Sequence, residues 1–234
     1  MQSLYTASTG MLGMQTQIDT TANNIANVNT IGFKKSRAEF ADLMYHVMQY
    51  AGTSTSDTTK SPTGIEVGLG VRPTAINKIF SEGSLKQTDN QLDMAITGRG
   101  FFKMELPDGT EVYSRNGAFK IDDNGTVVNS DGYTLIPQIV VPTDATNISI
   151  GTDGIVTVIQ PGQAQATQVG QINTTNFINP AGLHSLGDNL YIETDSSGQP
   201  VEGVPGLDGL GVLRQGFVEL SNVELVVELT DLIT

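Results

Sequence analysis

Apolar and small side chains recur near the start of the chain at Leu4, Ala7, Met11, Met14, Ile18, Thr21, Ile25 and Val28, in alternating steps of three and four. That period draws one narrow stripe along a helix, a coiled-coil seam rather than a broad globular face. The spacing predicts a helix over Ser3 to Asn27. Gly10 and Gly13 weaken it by roughly 1 kcal/mol each relative to Ala, and they are expected to let another helix approach closely. Asn23, Asn24, Asn27 and Asn29 gather at its end, where Asn favours caps and turns. Thr30-Ile31-Gly32-Phe33 breaks the pattern, and Lys34, Lys35 and Arg37 follow where cations complement the negative end of a helix dipole. An ordinary helix packed on its own domain is the competing reading of this stripe.

The other end carries a similar signal. Ser221 stands three residues before Glu224, a capping box with Ser221 as N-cap. Val223, Val226, Thr230 and Ile233 then repeat the three–four spacing, with Leu225, Leu229 and Leu232 beside them. The pattern stops at Thr234 without a C-cap or stop signal, as if cut within the helix. Full burial of the N-terminal seam contributes on the order of 10 kcal/mol. Ordering a helix of that length costs more before hydrogen bonding is counted, so the terminal helices are expected to order where many neighbours bury them together.

Between the ends the period changes to two. Short runs such as Ile65–Val71, Phe101–Leu106, Val112–Ser114, Ala118–Ile121, Tyr133–Val141 and Ile155–Ile159 alternate with turn signals. Pro107-Asp108-Gly109, Asp123-Asn124-Gly125, Ser130-Asp131-Gly132 and Thr152-Asp153-Gly154 each place Gly where a hairpin needs positive φ. Residues 38–50 are apolar and aromatic without a clean period, and residues 51–64 are rich in Thr and Ser. The fold class expected is mainly β with terminal α-helices, an antiparallel β body carried on paired N- and C-terminal helices. Residues 1–30 with 221–234 would form a terminal helical assembly domain. Residues 31–70 would be a connecting segment with an extended insertion, and 71–220 the β-rich body.

Composition narrows the chemistry. Charged residues are 16% of the chain and the net charge is −13. Nucleic acid is thereby excluded as a partner, because phosphate binding needs clustered Lys and Arg. With no Cys, disulfides and thiolate metal sites are excluded. The apolar runs are too short to span a bilayer. The N-terminus lacks the basic and apolar regions of a secretory signal, so the chain is expected to be cytoplasmic or exported by a route that reads no such signal.

His46 and His184 have no metal-binding spacing. Gly68-Leu69-Gly70 and Gly98-Arg99-Gly100 lack a following phosphate-loop helix. Asp122-Asp123-Asn124-Gly125 reads as turn chemistry and lacks the alternating ligands of a calcium loop. Asn124-Gly-Thr126, Asn147-Ile-Ser149 and Asn173-Thr-Thr175 fit the glycosylation triplet by coincidence. No catalytic, cofactor-binding or metal residue is proposed, and no small-molecule substrate. A carbohydrate-active or glycan-binding β protein, with a carboxylate pair across a cleft, is the alternative from another class.

Longer motifs carry a resemblance. The segment Ala22-Asn-Asn-Ile-Ala-Asn-Val-Asn-Thr-Ile-Gly-Phe-Lys34 resembles the N-terminal signature of the bacterial flagellar rod and hook family, with Asn23, Asn24, Asn27, Gly32 and Phe33 as signature residues. Gln91-Leu-Asp-Met-Ala-Ile-Thr-Gly-Arg-Gly-Phe-Phe102, Tyr113-Ser-Arg-Asn-Gly-Ala-Phe119 and Asp131-Gly-Tyr133 continue it. Asn176-Phe-Ile-Asn-Pro-Ala-Gly-Leu183, Gly187-Asp-Asn-Leu190, Gln215-Gly-Phe217 and Ser221-Asn-Val223 are similar to its distal rod branch. The resemblance implies a non-enzymatic structural subunit that polymerises into a hollow helical drive shaft transmitting motor torque to the hook.

It implies as partners further copies of the chain, adjoining rod and hook subunits, the surrounding basal-body rings and the flagellar export apparatus. It places the protein in the basal body, spanning the periplasm, exported without a cleaved signal peptide. Residues 51–64 fall where distal rod members carry an extended insertion linked to rod stiffness. Family members continue the C-terminal helix through a Gln-Arg-Ala-Tyr-Glu-like motif absent here, so a truncated seam and weakened polymerisation are expected. A paralogous proximal-rod or hook subunit is the neighbouring alternative. Leu4, Met11, Ile18, Ile25, Val223 and Val226 are the residues expected to carry assembly.

Overall fold

A computed structural model describes residues 2–52, 61–162 and 165–233. The chain forms two compact units: residues 1–25, 36–78 and 226–234 make the first, residues 26–35 and 79–225 the second. The strands of 36–78 thus belong with the helical ends, rather than to a connecting segment. Most of the Thr/Ser-rich insertion, residues 53–60, lies outside the described residues.

The first unit is a helix on a two-stranded ribbon. Helix α1 spans Gln2–Ala26. Strand β1 (Ser36–Asp42) pairs antiparallel with β4 (Val71–Lys78), with a bulge between Glu39 and Phe40. Strand β2 (Tyr45–Gln49) pairs antiparallel with β3 (Ile65–Gly68). Backbone bonds from Leu43 to Gly70 and from Leu69 to Met44 join the two pairs into one ribbon.

The helix lays its small polar face on this ribbon. Its buried residues are Gly13, Thr20, Thr21 and Asn24. Such a face can pack because its hydroxyls bond back along the helix: Thr16 donates to the Leu12 carbonyl at 3.0 Å and Thr20 to the Thr16 carbonyl at 2.8 Å. Gly13 gives the close approach anticipated for a partner helix to strands instead, since a Cβ there would stand 3.5 Å from both Phe40 and Val71.

The second unit is β throughout its core. Among the described residues it holds a nine-stranded antiparallel sheet whose main path runs His184–Gly187, Leu190–Ile192, Glu111–Ser114, Phe101–Glu105, Thr134–Ile136, Val127–Val128 and Lys120–Ile121. Thr174–Asn176 and Val201–Gly203 branch from it. A three-stranded sheet, Asn147–Ile150, Ile155–Ile159 and Thr167–Gln171, accompanies it.

Phe102, Leu135 and Val156 of these sheets form the main core with Met94 and Ile96, from a separate strand pair (Met94–Thr97 with Val212–Gln215), and Ile172. Phe101, Tyr113, Phe177, Leu183 and Tyr191 form a second, aromatic cluster. Each turn glycine named from the sequence takes positive φ: Gly109 at 82°, Gly125 at 80°, Gly132 at 87° and Gly154 at 82°. The expected class, antiparallel β with a helix at each end, is the fold observed.

The C-terminal helix starts later than its capping box predicts. Helix α2 spans Leu225–Ile233. The Ser221 hydroxyl accepts from the Val223 amide at 3.3 Å, a local turn rather than a cap. Asn222 explains the delay. Its amide donates to the Ile79 carbonyl at 2.8 Å and its oxygen accepts from the Lys35 amide at 2.8 Å. Those bonds, with burial of Val223, hold residues 221–224 out of helical geometry.

Candidate assembly surface

Because α1 spends its polar face on the ribbon, its apolar stripe is left facing solvent from Leu4 to Ile18. Leu4 is 73% exposed, Met11 68% and Ile18 51%, while Ile25 is half-buried. From Leu4 to Ile18 the stripe is therefore not the face by which the helix packs on its own unit, the competing reading of its spacing; beyond Ile18 that reading holds in part, since Thr21 of the stripe is buried. On α2, Val226 is 76% and Ile233 83% exposed. Val223 differs, being buried in the second unit ahead of the helix. The ribbon presents a further apolar group on Met44, Tyr45, Met48, Tyr50 and Ile65. Exposed apolar side chains set along one face, as on α1, mark interaction sites.

The signature residues divide into structural roles. Asn24 is buried within α1 and does not cap it. Its amide donates to the Ser36 carbonyl at 2.8 Å and to Glu228 Oε2 of α2 at 3.1 Å, and its oxygen accepts from the Ser36 amide at 2.9 Å. Helix, ribbon and C-terminal helix thus meet on one side chain. Asn27 closes the turn after α1, accepting from the Thr30 amide at 3.1 Å. Asn23 is exposed beside a groove shared with Thr16, Thr20 and Ile76. Gly32 has φ +72°, and a Cβ there would stand 2.7 Å from the Asn116 amide nitrogen. Phe33 is buried.

Lys34 serves no helix dipole. Its ammonium is fully buried against Glu219 Oε1 at 2.6 Å and the Ser81 carbonyl at 2.6 Å. Glu219 also accepts from the Gly83 amide at 2.9 Å and faces Arg115 Nη1 at 3.4 Å. Burial pushes the Lys34 pKa down despite the neighbouring carboxylate, and it pushes Arg115 down as well. Sequence reading missed this cluster. Its one local trace is a lysine beside Gly32-Phe33; Glu219 lies in a strand far along the chain and carries no signal that it faces inward.

Residues 95–158 match the family described as "Flagellar hook protein FlgE/F/G D1 domain", and residues 4–34 match "Flagella basal body rod protein". The "Flagellar basal-body rod protein FlgG" of Buchnera aphidicola subsp. Schizaphis graminum is 49% identical, covering 99% of this chain and 89% of the relative. That of Borreliella burgdorferi is 46% identical over 100% of the chain and 89% of its own length. The chain belongs to the flagellar basal-body rod family.

Similarity within the rod family extends to the Bacillus subtilis protein of the same description, 40% identical over 100% of the chain and 89% of the relative. The chain is a structural subunit of the flagellar distal rod, a component of the basal body. The rod and hook family assembles from further copies and adjoining subunits. Among the described residues, no group of three His, Asp or Glu side chains is arranged to hold a metal ion.

Proposed function

We propose that this rod subunit polymerises by burying the outward stripes of its terminal helices, forming a hollow drive shaft that carries torque to the hook. The observation that supports this most is the inverted packing of α1: Gly13, Thr20 and Asn24 are buried, while Leu4, Met11 and Ile18 remain outside. Leu4, Met11, Ile18 and Val226 form the contact faces, with Ile25 at their inner edge. Val223 contributes through its own unit's core. The subunit acts without catalysis, in keeping with its relatives. It is delivered by the flagellar export apparatus, spans the periplasm and bears against the surrounding rings.

The Ile18→Asp variant tests the reading. Ile18 is half exposed, so the substitution leaves the fold within about 0.5 kcal/mol. In the polymer it removes burial worth about 1.5–3 kcal/mol per contact and inserts a charge. Sedimentation and electron microscopy at high protein concentration are expected to show polymer for the unmodified chain and none for the variant. Equal polymer yield from both, with unchanged circular dichroism, refutes the proposal.

A further inference from the structure

The second unit contains a 270 Å³ cavity walled on its apolar side by Phe80, Phe101 and Phe177 and on its cationic side by Arg99 and Arg115. Arg115 is 3% exposed and its guanidinium lies 5.6 Å from the centre of the Phe101 ring. Its Nη2 donates to the Gly98 carbonyl at 2.6 Å, and its Nη1 to the Ile96 carbonyl at 3.2 Å. Its Nε–H is buried with no acceptor, and such an orphan donor on a cation calls for an explanation.

The charge balance points the same way. Lys34 and Arg115 are two buried cations sharing the single buried carboxylate of Glu219, which sits 2.6 Å from Lys34 and 3.4 Å from Arg115. Glu82 attracts both from the exposed edge of the unit. Arg99 is exposed and forms no ion pair among the described residues, in a chain with 25 acidic and 12 basic residues.

We propose that this cavity is a socket for an acidic side chain of a second copy of this chain. It rests on the polymerisation reading above and names one contact within it. A carboxylate supplies the missing acceptor and the missing charge, and the apolar walls take its aliphatic stem. Pairing with a buried guanidinium is stronger than pairing on an open surface. A second copy is the favoured source because acidic residues outnumber basic ones by about two to one. Ile178, 86% exposed beside the cavity, gives the incoming surface an apolar contact.

Sodium benzoate serves as the probe, since it couples a carboxylate to an apolar ring. In the full chain it is expected to shift the Arg115 Nε–H and Gly100 amide resonances saturably, with affinity reduced at least about tenfold in Arg99→Glu. That variant alters an exposed side chain, whereas replacing Arg115 would disturb Glu219. Polymer formation is expected to need about tenfold more protein in Arg99→Glu, or in excess benzoate.

Absence of any saturable shift overturns the socket. Benzoate binding without effect on polymer formation assigns the site to a free carboxylate and overturns the second copy as occupant, as does an unmodified chain that never self-associates. Normal assembly of Ile18→Asp sinks the helix reading alone, because Arg99→Glu still reports on the socket.

Discussion

Replacing Glu219 with Gln keeps the side-chain shape and removes its charge. Glu219 is fully buried and bonds Lys34 Nζ at 2.6 Å, the Gly83 amide at 2.9 Å and Arg115 Nη1 at 3.4 Å. Gln preserves an acceptor for Gly83 but takes the buried counter-charge from two buried cations and leaves them only the exposed Glu82. Breaking a buried pair by removing one partner costs about 3–5 kcal/mol. That is a large share of the roughly 5–15 kcal/mol by which a domain is stable. The chain has no Trp, so near-ultraviolet circular dichroism of buried Tyr113 and Tyr191 is the natural probe of urea unfolding in this unit.

The pH dependence supplies an independent sign. Burial holds the folded-state pKa of Lys34 below its unfolded value of 10.5. The unfolded chain then binds the proton more tightly, so stability is lowest below the folded pKa and rises with pH up to 10.5. Removing the Glu219 charge drops the folded pKa further, so Glu219→Gln is expected to regain more stability than the parent between neutral pH and about pH 9.5. That window stays below the ordinary tyrosine pKa of about 10. Burial raises the Tyr113 pKa to about 12, an effect that lowers stability only above the window. Adding Lys34→Met to Glu219→Gln removes one uncompensated cation and is expected to restore part of the loss. A cost for Glu219→Gln below about 0.5 kcal/mol, the scatter of surface changes, refutes the argument, as does a stability that falls with rising pH.

Two further substitutions probe the signature residues. Asn24→Leu strands the Ser36 backbone groups and is expected to cost about 1–3 kcal/mol, read as a lower unfolding midpoint of the first unit and faster amide exchange at Ser36. Gly32→Ala places a methyl 2.7 Å from the Asn116 nitrogen at φ +72°. It is expected to destabilise the second unit by more than about 1 kcal/mol in urea unfolding, and a change within about 0.5 kcal/mol would show that the loop relaxes freely.

The antiparallel β body, its four glycine hairpin turns and the extent of α1 were legible in the sequence. Each depends on neighbours a few residues apart: a period of two, a positive φ, a three–four spacing. The exposed seam was legible too, as a pattern, but its direction was not. Only the folded first unit shows that Thr and Gly face the ribbon and that Leu4, Met11 and Ile18 face outward. Hydrophobicity alone argues for the reverse arrangement. It is overruled because the Thr16 and Thr20 hydroxyls are satisfied within the helix and Gly13 lets Phe40 and Val71 come near.

Long-range pairing was equally hidden. Asn222 unwinds the expected start of α2 through bonds to Ile79 and Lys35. Lys34, Arg115 and Glu219 meet only when a loop and two distant parts of the β unit close together. A sequence pattern reports local conformation, which a few adjacent side chains decide. The burial of a charge and the outward turn of a seam are settled by groups distant in the chain, and those were decided by the tertiary structure.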